Sequence, residues 1–200
     1  MRLVYDQSHL SFFALNSFHT MIITIGGSVG SGKSTLAVEL SRKINFKRLS
    51  AGEIMRRMAA EKGLNIMEFS KYAEEHPEVD KEIDERQRQI ASKGDYVVDG
   101  RLSAYVLKPD FSVWLTAPLE VRAQRIMGRG ERFPSIEDAC KVITDREASE
   151  HKRYKEFYGI DLSDLAVYDL VLNTGKFNIF EMTDLTYMVV TKFLSKKKNG

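Results

Sequence analysis

The amino-acid sequence predicts a three-layer α/β fold built on a five-stranded parallel sheet. Five short apolar runs, rich in β-branched and aromatic residues, alternate with segments whose apolar residues recur three or four positions apart. A glycine-rich loop joins the first run directly to the first helical segment. Strands that alternate with helices pair in parallel through right-handed crossovers, so we expect helices on both faces of a single sheet.

The elements follow one another in a regular order. The first predicted strand is residues 21–26 (MIITIG), whose unbroken apolar character is typical of a strand that is buried on both faces. The other predicted strands are residues 46–50, 96–99, 111–116 and 168–173. Helical patterns separate them, as parallel pairing requires. Charged helical patterns fill the interval between the second and third predicted strands, to about residue 92.

Length and composition exclude several classes of protein. Two hundred residues with 43% hydrophobic content suffice for one core, so we expect one domain over residues 21–200. Thirty basic and 28 acidic residues leave a net charge of +2, which favours neither nucleic acid nor a membrane as partner. The lone Cys140 excludes an intrachain disulfide and suits a reducing compartment. We therefore expect a cytoplasmic monomer.

Residues 1–20 precede the predicted domain. Met21 stands where the first strand should begin, so we expect this extension to be poorly ordered. The apolar residues 10–15 resemble part of a secretion signal, but Asn16, Ser17 and His19 interrupt the pattern, and we reject that alternative.

The loop after the first strand has the pattern G-x-x-x-x-G-K-[ST], which predicts a phosphate-binding P-loop when it lies between a strand and a helix. Glycines allow consecutive backbone N–H groups to surround phosphate oxygens, and the following helix directs its positive dipole end at them. Lys33 can reach the β and γ phosphates of ATP, and Ser34 can ligate Mg²⁺. The residues expected to bind ATP are Gly27, Ser28, Val29, Gly30, Ser31, Gly32, Lys33, Ser34 and Thr35.

A P-loop indicates that a protein binds a nucleoside triphosphate, but it does not show which reaction the protein catalyses. The sequence has no N-K-x-D motif to read guanine and no LSGGQ motif, and it is too short for an ATPase domain with its own lid subdomain. Arginines follow the second and third predicted strands. This combination favours a kinase that acts on a small phosphorylated acceptor.

Five segments carry a more specific resemblance. They are SAGEIMR (residues 50–56), DGR (99–101), QRIMGR (124–129), EHKRYKEFYGID (150–161) and VYDLVLNT (167–174). Their order resembles that of nucleoside monophosphate kinases, and within that group the chain is similar to cytidylate kinases of the short archaeal-type branch. The similarity runs from about residue 21 to 173 and beyond, and it implies transfer of the γ-phosphate of Mg-ATP to CMP or dCMP, giving CDP or dCDP in pyrimidine nucleotide metabolism.

The same resemblance implies an acceptor-binding region at about residues 51–92 and a lid at about 128–152. It assigns the acceptor to Ser50, Gly52, Arg56, Arg101 and Glu150. Lys33, Arg129, Arg146 and Arg153 are implied to act on the transferred phosphate, and Arg125 to lie against ATP. Because the acceptor phosphate is already an anionic nucleophile, no general base is needed and no histidine is assigned.

Several roles stay open at the level of sequence. Asp99 either holds Mg²⁺ through water or hydrogen-bonds Ser34. Glu150 either contacts the acceptor or pairs with Arg146 one helical turn away. We interpret Arg122 and Arg132 as a solvated basic face, and Tyr72, Asp80 and Asp84 are candidates for reading the base. The rival functions are a kinase of the same fold for AMP, UMP or a non-nucleotide acceptor, and an ATP-binding factor without an acceptor.

Overall fold

The computed structural model describes residues 20–128 and 133–198. All five predicted strands are present in one sheet: β1 (Ile22–Gly27), β2 (Lys47–Ser50), β3 (Tyr96–Asp99), β4 (Phe111–Thr116) and β5 (Leu170–Asn173). Every pairing is parallel, and the strand order is β2-β3-β1-β4-β5. The predicted α/β class is confirmed. Strand β5 begins two residues later than predicted because Tyr168 N donates to Leu165 O and closes a turn there.

The described chain also contains eight helices and a short 3-10 helix, and the last helix and the 3-10 helix follow β5. The helices are α1 (Lys33–Ile44), α2 (Ala51–Glu61), α3 (Ile66–Glu75), α4 (Pro77–Ala91), α5 (Ser103–Leu107), α6 (Leu119–Met127), α7 (Ile136–Tyr158) and α8 (Ile179–Lys198), and the 3-10 helix is Thr174–Lys176. Side chains fix several helix starts. Asn65 forms a capping box with Glu68 at the start of α3, and Ser135 accepts a hydrogen bond from Asp138 N at the start of α7.

The central strand β1 separates two parts of the core. On one face, Ile23 and Ile25 pack with Leu36 and Leu40 of α1 and with Val190 of α8. A second cluster joins the helical insertion between β2 and β3 to the sheet and includes Phe69, Ala73, Ile83 and Val98. Apolar burial of this kind supplies most of the favourable free energy of folding. The insertion is therefore anchored to the sheet by its own core.

The sheet topology fixes where a ligand can bind. The chain passes from β1 to one side of the sheet for β2 and β3 and then to the other side for β4 and β5. Such a reversal opens a crevice at the carboxyl ends of the strands. The register places Ile25 of β1 and Ser50 of β2 level with Asp99 of β3. The P-loop, the start of α2 and the segment after β3 consequently meet at one edge.

The two predicted accessory regions differ in form. Helices α2, α3 and α4 fill the acceptor-binding region predicted at 51–92. In the region predicted as a lid, the described part from residue 135 onwards is the capped beginning of the long helix α7. Arg129 and Arg132 lie outside the described residues, as do residues 1–19 of the predicted extension. Within residues 20–128 and 133–198, no helix combines the length and apolar character needed to cross a membrane.

Candidate active site

The P-loop connects β1 to α1 in a conformation that requires glycine. Gly27 has φ 144° and Gly30 has φ 76°. A Cβ atom on Gly27 would lie 2.2 Å from Leu115 O, and one on Gly30 would lie 2.7 Å from Arg122 O. Both contacts are with backbone oxygens, which cannot move aside as easily as the end of a flexible side chain. The loop therefore has the close approach and the positive φ angles that a phosphate cradle needs.

Lys33 lies at the start of α1 and folds over the P-loop. Its Nζ donates to Gly27 O at 2.8 Å and to Ser28 O at 2.7 Å. Burial lowers the pKa of Lys33 well below its ordinary value, and the positive charges of Arg101 and Arg146 lower it further. Three cations thus lie within electrostatic reach of one another. Bound phosphate would compensate this concentration of positive charge.

The carboxylate of Asp99 organises the opposite side of the P-loop. Its Oδ1 accepts hydrogen bonds from Ser34 Oγ at 2.9 Å and from Ser50 Oγ at 3.0 Å. Its Oδ2 accepts from Arg48 Nε at 3.2 Å and Nη2 at 3.1 Å, and Arg48 Nη1 also donates to Glu53 Oε1 at 2.8 Å. The hydrogen bond between Ser34 and Asp99 that the sequence left open is present. Arg48 was not identified from the sequence.

This set of oxygen atoms fits Mg²⁺. The ion prefers hard oxygen ligands and usually keeps several waters. The Ser34 hydroxyl and the Asp99 carboxylate lie together on the wall of the cavity next to Lys33. No group of three or more His, Cys, Asp or Glu side chains suited to a metal occurs in the described ranges 20–128 and 133–198. Ser34 and Asp99 are the residues that would hold the ion, which would supply positive charge beside bound phosphates.

A cavity of about 230 Å³ extends from the P-loop to the helical insertion. Its lining combines Lys33 and Ser34 with three arginines, Arg56 of α2, Arg101 after β3 and Arg146 of α7. Other predicted site residues that line it are Val29, Gly30, Ser50, Gly52, Asp99 and Glu150. The fold therefore brings these residues from four separate segments of the sequence to one space.

Glu150 of α7 bridges two of these arginines. Its Oε1 accepts from Arg146 Nε at 2.9 Å, and its Oε2 forms an ion pair with Arg101 Nη1. The side chains of Arg101 and Glu150 are 9% and 7% exposed, whereas that of Arg146 is 45% exposed. Burial lowers the pKa of Arg101 to about 10, which leaves the guanidinium charged at neutral pH. The helix-face pairing of Glu150 with Arg146 is present.

Arg153 is placed differently from the other predicted arginines. Its Nε donates to Asp80 Oδ2 of α4 at 2.7 Å, and the two side chains are 3% and 6% exposed. Asp80 lines the cavity, whereas Arg153 is not among the described residues that do so. Its Nη1 is buried without a hydrogen-bond partner among the described residues. Arg153 therefore lies behind the cavity wall and supports Asp80 there.

The far end of the cavity is acidic and hydrogen-bonded. Asp84 Oδ2 accepts from Tyr158 Oη at 2.9 Å, and Gln87 Nε2 approaches Asp84 Oδ1 at 3.4 Å. Ser103 Oγ donates to Gln87 Oε1 at 2.7 Å, which fixes the orientation of that amide. Burial raises the pKa of Asp84 to about 6. Of the three base-reading candidates, Asp80 and Asp84 line the cavity, whereas Tyr72 stacks on His76.

On the expected ATP side, Arg125 of α6 is tied to the segment after β5. Its Nη1 donates to Thr174 Oγ1 at 2.9 Å and its Nη2 to Thr174 O at 2.8 Å. Thr174 Oγ1 in turn donates to Ser31 O of the P-loop at 2.9 Å. Thr35, one residue after the motif, is exposed at the surface of α1. Arg125 thus lies beside the loop that would hold ATP.

Two residues near the P-loop correct or extend the sequence analysis. The interpretation of Arg122 as solvated was wrong, because the residue is 9% exposed and donates to Ala117 O at 3.0 Å and Val29 O at 3.1 Å. Glu147 of α7 was missed, although its Oε1 accepts from Val29 N at 2.7 Å and from Arg122 Nη1 at 2.9 Å. These contacts fasten α7 to the P-loop.

Comparisons with known proteins agree with this architecture. A cytidylate kinase of Methanocaldococcus jannaschii is 51% identical over 164 residues, which are 80% of this chain and 91% of that protein. A cytidylate kinase of Methanothermobacter thermautotrophicus is 49% identical over 159 residues, 79% of this chain and 98% of that protein. The shikimate kinase structure from Bacteroides thetaiotaomicron has a TM-score of 0.59 at 12% identity, covering 88% of this chain and 98% of that one, a likeness of fold alone. The model of the cytidylate kinase-like family matches residues 22–176, and the chain belongs to that family.

Proposed function

We propose that this protein transfers the γ-phosphoryl group of ATP to CMP or dCMP, giving ADP and CDP or dCDP. The observation that carries the proposal is the single cavity in which Lys33 and Ser34 of the P-loop face Arg56, Arg101 and Arg146. A protein that only binds or hydrolyses ATP has no need of a second set of phosphate-binding cations. The membership of the chain in the cytidylate kinase-like family supports the choice of acceptor.

Each group has a physical task in this proposal. The P-loop amides and Lys33 hold the β and γ phosphates of ATP. Ser34 and Asp99 would hold Mg²⁺, which would supply positive charge to neutralise those phosphates. Arg56 and Arg101 hold the acceptor phosphate, because planar guanidinium groups bind it in a bidentate fork. Arg146, with Arg129 and Arg153 as further candidates, neutralises the charge on the transferred group.

Catalysis then consists of alignment and charge neutralisation. An oxygen of the acceptor phosphate attacks the γ-phosphorus, and the bond from that phosphorus to the β–γ bridging oxygen of ATP breaks. Holding both phosphates in one partly enclosed cavity replaces a bimolecular encounter with a reaction between neighbours. Helix α7 supplies Arg146 and Glu150 from the lid side, so it is the element that we expect to close over the substrates.

The proposal is tested by measuring ADP formation from Mg-ATP with CMP, dCMP, UMP, AMP and GMP offered separately. CMP and dCMP should give kcat/KM values at least about tenfold above the others, a difference that corresponds to 1.4 kcal/mol of transition-state discrimination. A preference for AMP or UMP would show that the acceptor is a different monophosphate, and the proposed mechanism would still apply. If no monophosphate changed the rate of ADP formation, the protein would not be a kinase of this class, and an ATP-binding factor would be favoured.

A further inference from the structure

The bridge that Glu150 makes between Arg101 and Arg146 lies in the space proposed for the acceptor phosphate. All three residues line the cavity beside the P-loop. Glu150 Oε1 accepts a hydrogen bond from Arg146, and Oε2 forms an ion pair with Arg101. A carboxylate held in this way presents oxygen atoms to arginine as a phosphate does, because both anions are recognised by the same planar donors.

The two arginines that Glu150 bridges lie close enough to Lys33 of the P-loop to act on its charge. Arg101 and Arg146 both contribute to the lowered pKa of Lys33. Their guanidinium groups therefore lie within electrostatic reach of the lysine that would hold the γ phosphate. Glu150 thus places a negative charge next to the point at which a phosphoryl group would pass from ATP to its acceptor.

We propose, resting on the function proposed above, that Glu150 is a positioning residue that occupies the acceptor-phosphate position and is displaced when the acceptor binds. A buried carboxylate and an acceptor phosphate of about two negative charges repel each other strongly at contact distance in a medium of low dielectric constant. Arg101 therefore exchanges one anion for the other. In the absence of the acceptor, Glu150 keeps the buried Arg101 paired, because a buried charge without a counter-ion is strongly destabilising.

This exchange limits the hydrolysis of ATP by water when no acceptor is bound. When Glu150 engages Arg101 and Arg146, these cations are less available to neutralise a γ-phosphoryl group that water attacks. In that reaction a water oxygen bonds to the γ-phosphorus, the bond to the bridging oxygen of ADP breaks, and ADP, inorganic phosphate and a proton are released. When the acceptor displaces Glu150, Arg101 pairs with the acceptor phosphate and Arg146 can turn to the γ-phosphoryl group, at the moment when the intended nucleophile is present.

The variant Glu150→Gln keeps the size of the side chain and removes its charge. With inorganic phosphate as the probe and a saturating non-hydrolysable ATP analogue filling the P-loop, calorimetry should show phosphate binding that is roughly tenfold tighter than in the wild type. ATP hydrolysis without an acceptor should rise by roughly the same factor. Unchanged phosphate affinity and unchanged hydrolysis, or weaker phosphate binding, would overturn the proposal.

A matched control is available on the same helix. Asp145 is exposed on α7, and it does not line the cavity that holds the bridge. Asp145→Asn makes the same change in charge five residues away, and the exposed charge is screened by solvent. This variant should match the wild type in both measurements. If Asp145→Asn changed phosphate affinity as much as Glu150→Gln, the effect would come from overall charge and the bridge would have no special part.

A second variant covers the case in which Glu150→Gln does not fold. Glu150→Asp keeps the charge but retracts the carboxylate by one methylene from both guanidinium groups, so phosphate binding should tighten by a smaller factor of about threefold. Weaker binding in this variant would contradict the proposal. Because phosphate binding requires no turnover, these results do not depend on whether CMP is the acceptor, and failure of the two proposals can be told apart.

Discussion

Arg153 Nε donates a hydrogen bond of 2.7 Å to Asp80 Oδ2, and both side chains are almost fully withdrawn from solvent. The pair joins α7 to α4 across 73 residues of sequence. It therefore connects the helix that carries Arg146 and Glu150 to the insertion that would hold the acceptor. Breaking one half of such a pair leaves a buried charge without a counter-ion.

We expect Asp80→Asn to lower the free energy of unfolding by about 3 kcal/mol, because a broken buried ion pair costs more than an exposed one. Urea unfolding measures the change. Glu82→Gln is the matched control, since Glu82 lies on the same helix and pairs with Arg86 at a side-chain exposure of 53%. That substitution should change the unfolding free energy by less than about 1 kcal/mol. Equal losses in the two variants would show that the buried pair has no particular importance.

Gly30 of the P-loop offers a second comparison. It combines φ 76° with a Cβ position that would lie 2.7 Å from Arg122 O, whereas Gly63 has φ 68° and no atom within 4 Å of its Cβ position. Gly63→Ala should cost about 1 kcal/mol for the left-handed backbone alone. Gly30→Ala should cost more and should also weaken ATP binding, as measured by calorimetry. ATP affinity that survives Gly30→Ala would contradict the proposed phosphate cradle.

A substitution at Arg56 tests the acceptor site independently of the ATP site. It lies on α2 at the cavity wall, and we expect Arg56→Ala to raise the KM for CMP about tenfold while the KM for ATP stays within about twofold. Its neighbour Arg57 is exposed and does not line the cavity. Arg57→Ala should leave both KM values unchanged. Unaltered CMP kinetics in Arg56→Ala would show that the acceptor phosphate binds elsewhere.

Burial of Asp84 makes stability depend on pH in a defined direction. The pKa of this carboxyl is raised from 3.8 to about 6, mainly because desolvation disfavours the charged form. The folded state therefore holds the proton more tightly than the unfolded state does. The resulting stabilisation is fully present below pH 3.8 and is lost as the pH rises through about 6.

Asparagine at position 84 imitates the neutral carboxyl group at every pH. Relative to the wild type, Asp84→Asn should gain on the order of 2 kcal/mol of unfolding free energy at pH 8, and this gain should shrink as the pH falls towards 4.5. Chemical unfolding at the two pH values provides the measurement. Asp80, Arg88 and Tyr158 also act on this carboxyl, so they are kept unchanged in both proteins. A gain that does not depend on pH would exclude Asp84 as its source.

The sequence predicted those features whose signals are local. The strand β1, the P-loop and α1 follow one another without interruption, and their glycine pattern and helical spacing lie within a few residues. The five strands and the helical patterns between the second and third strands were likewise found from periodicity. Strand ends were less exact, because the turn that delays β5 depends on a backbone hydrogen bond that apolar character does not report.

Contacts between distant segments were harder to predict. Arg48 and Asp99 are 51 residues apart, and Val29 and Glu147 are 118 residues apart, so neither pairing has a signature in local spacing. Arg122 was misread because arginines that recur three or four residues apart are typical of an exposed helix face. In the structure its guanidinium donates to the backbone carbonyls of Ala117 and Val29. A charged residue buried for structural reasons looks in sequence like one that is exposed.

Transfer of labelled phosphate tests the central claim most directly. The protein is incubated with Mg-ATP labelled at the γ phosphate and with CMP, and the labelled products are separated. Label should pass into CDP at a rate well above its release as inorganic phosphate, and Lys33→Ala should lower that rate by about 100-fold or more without unfolding the protein. Label that appears only in inorganic phosphate, at a rate that CMP does not change, would contradict a cytidylate kinase.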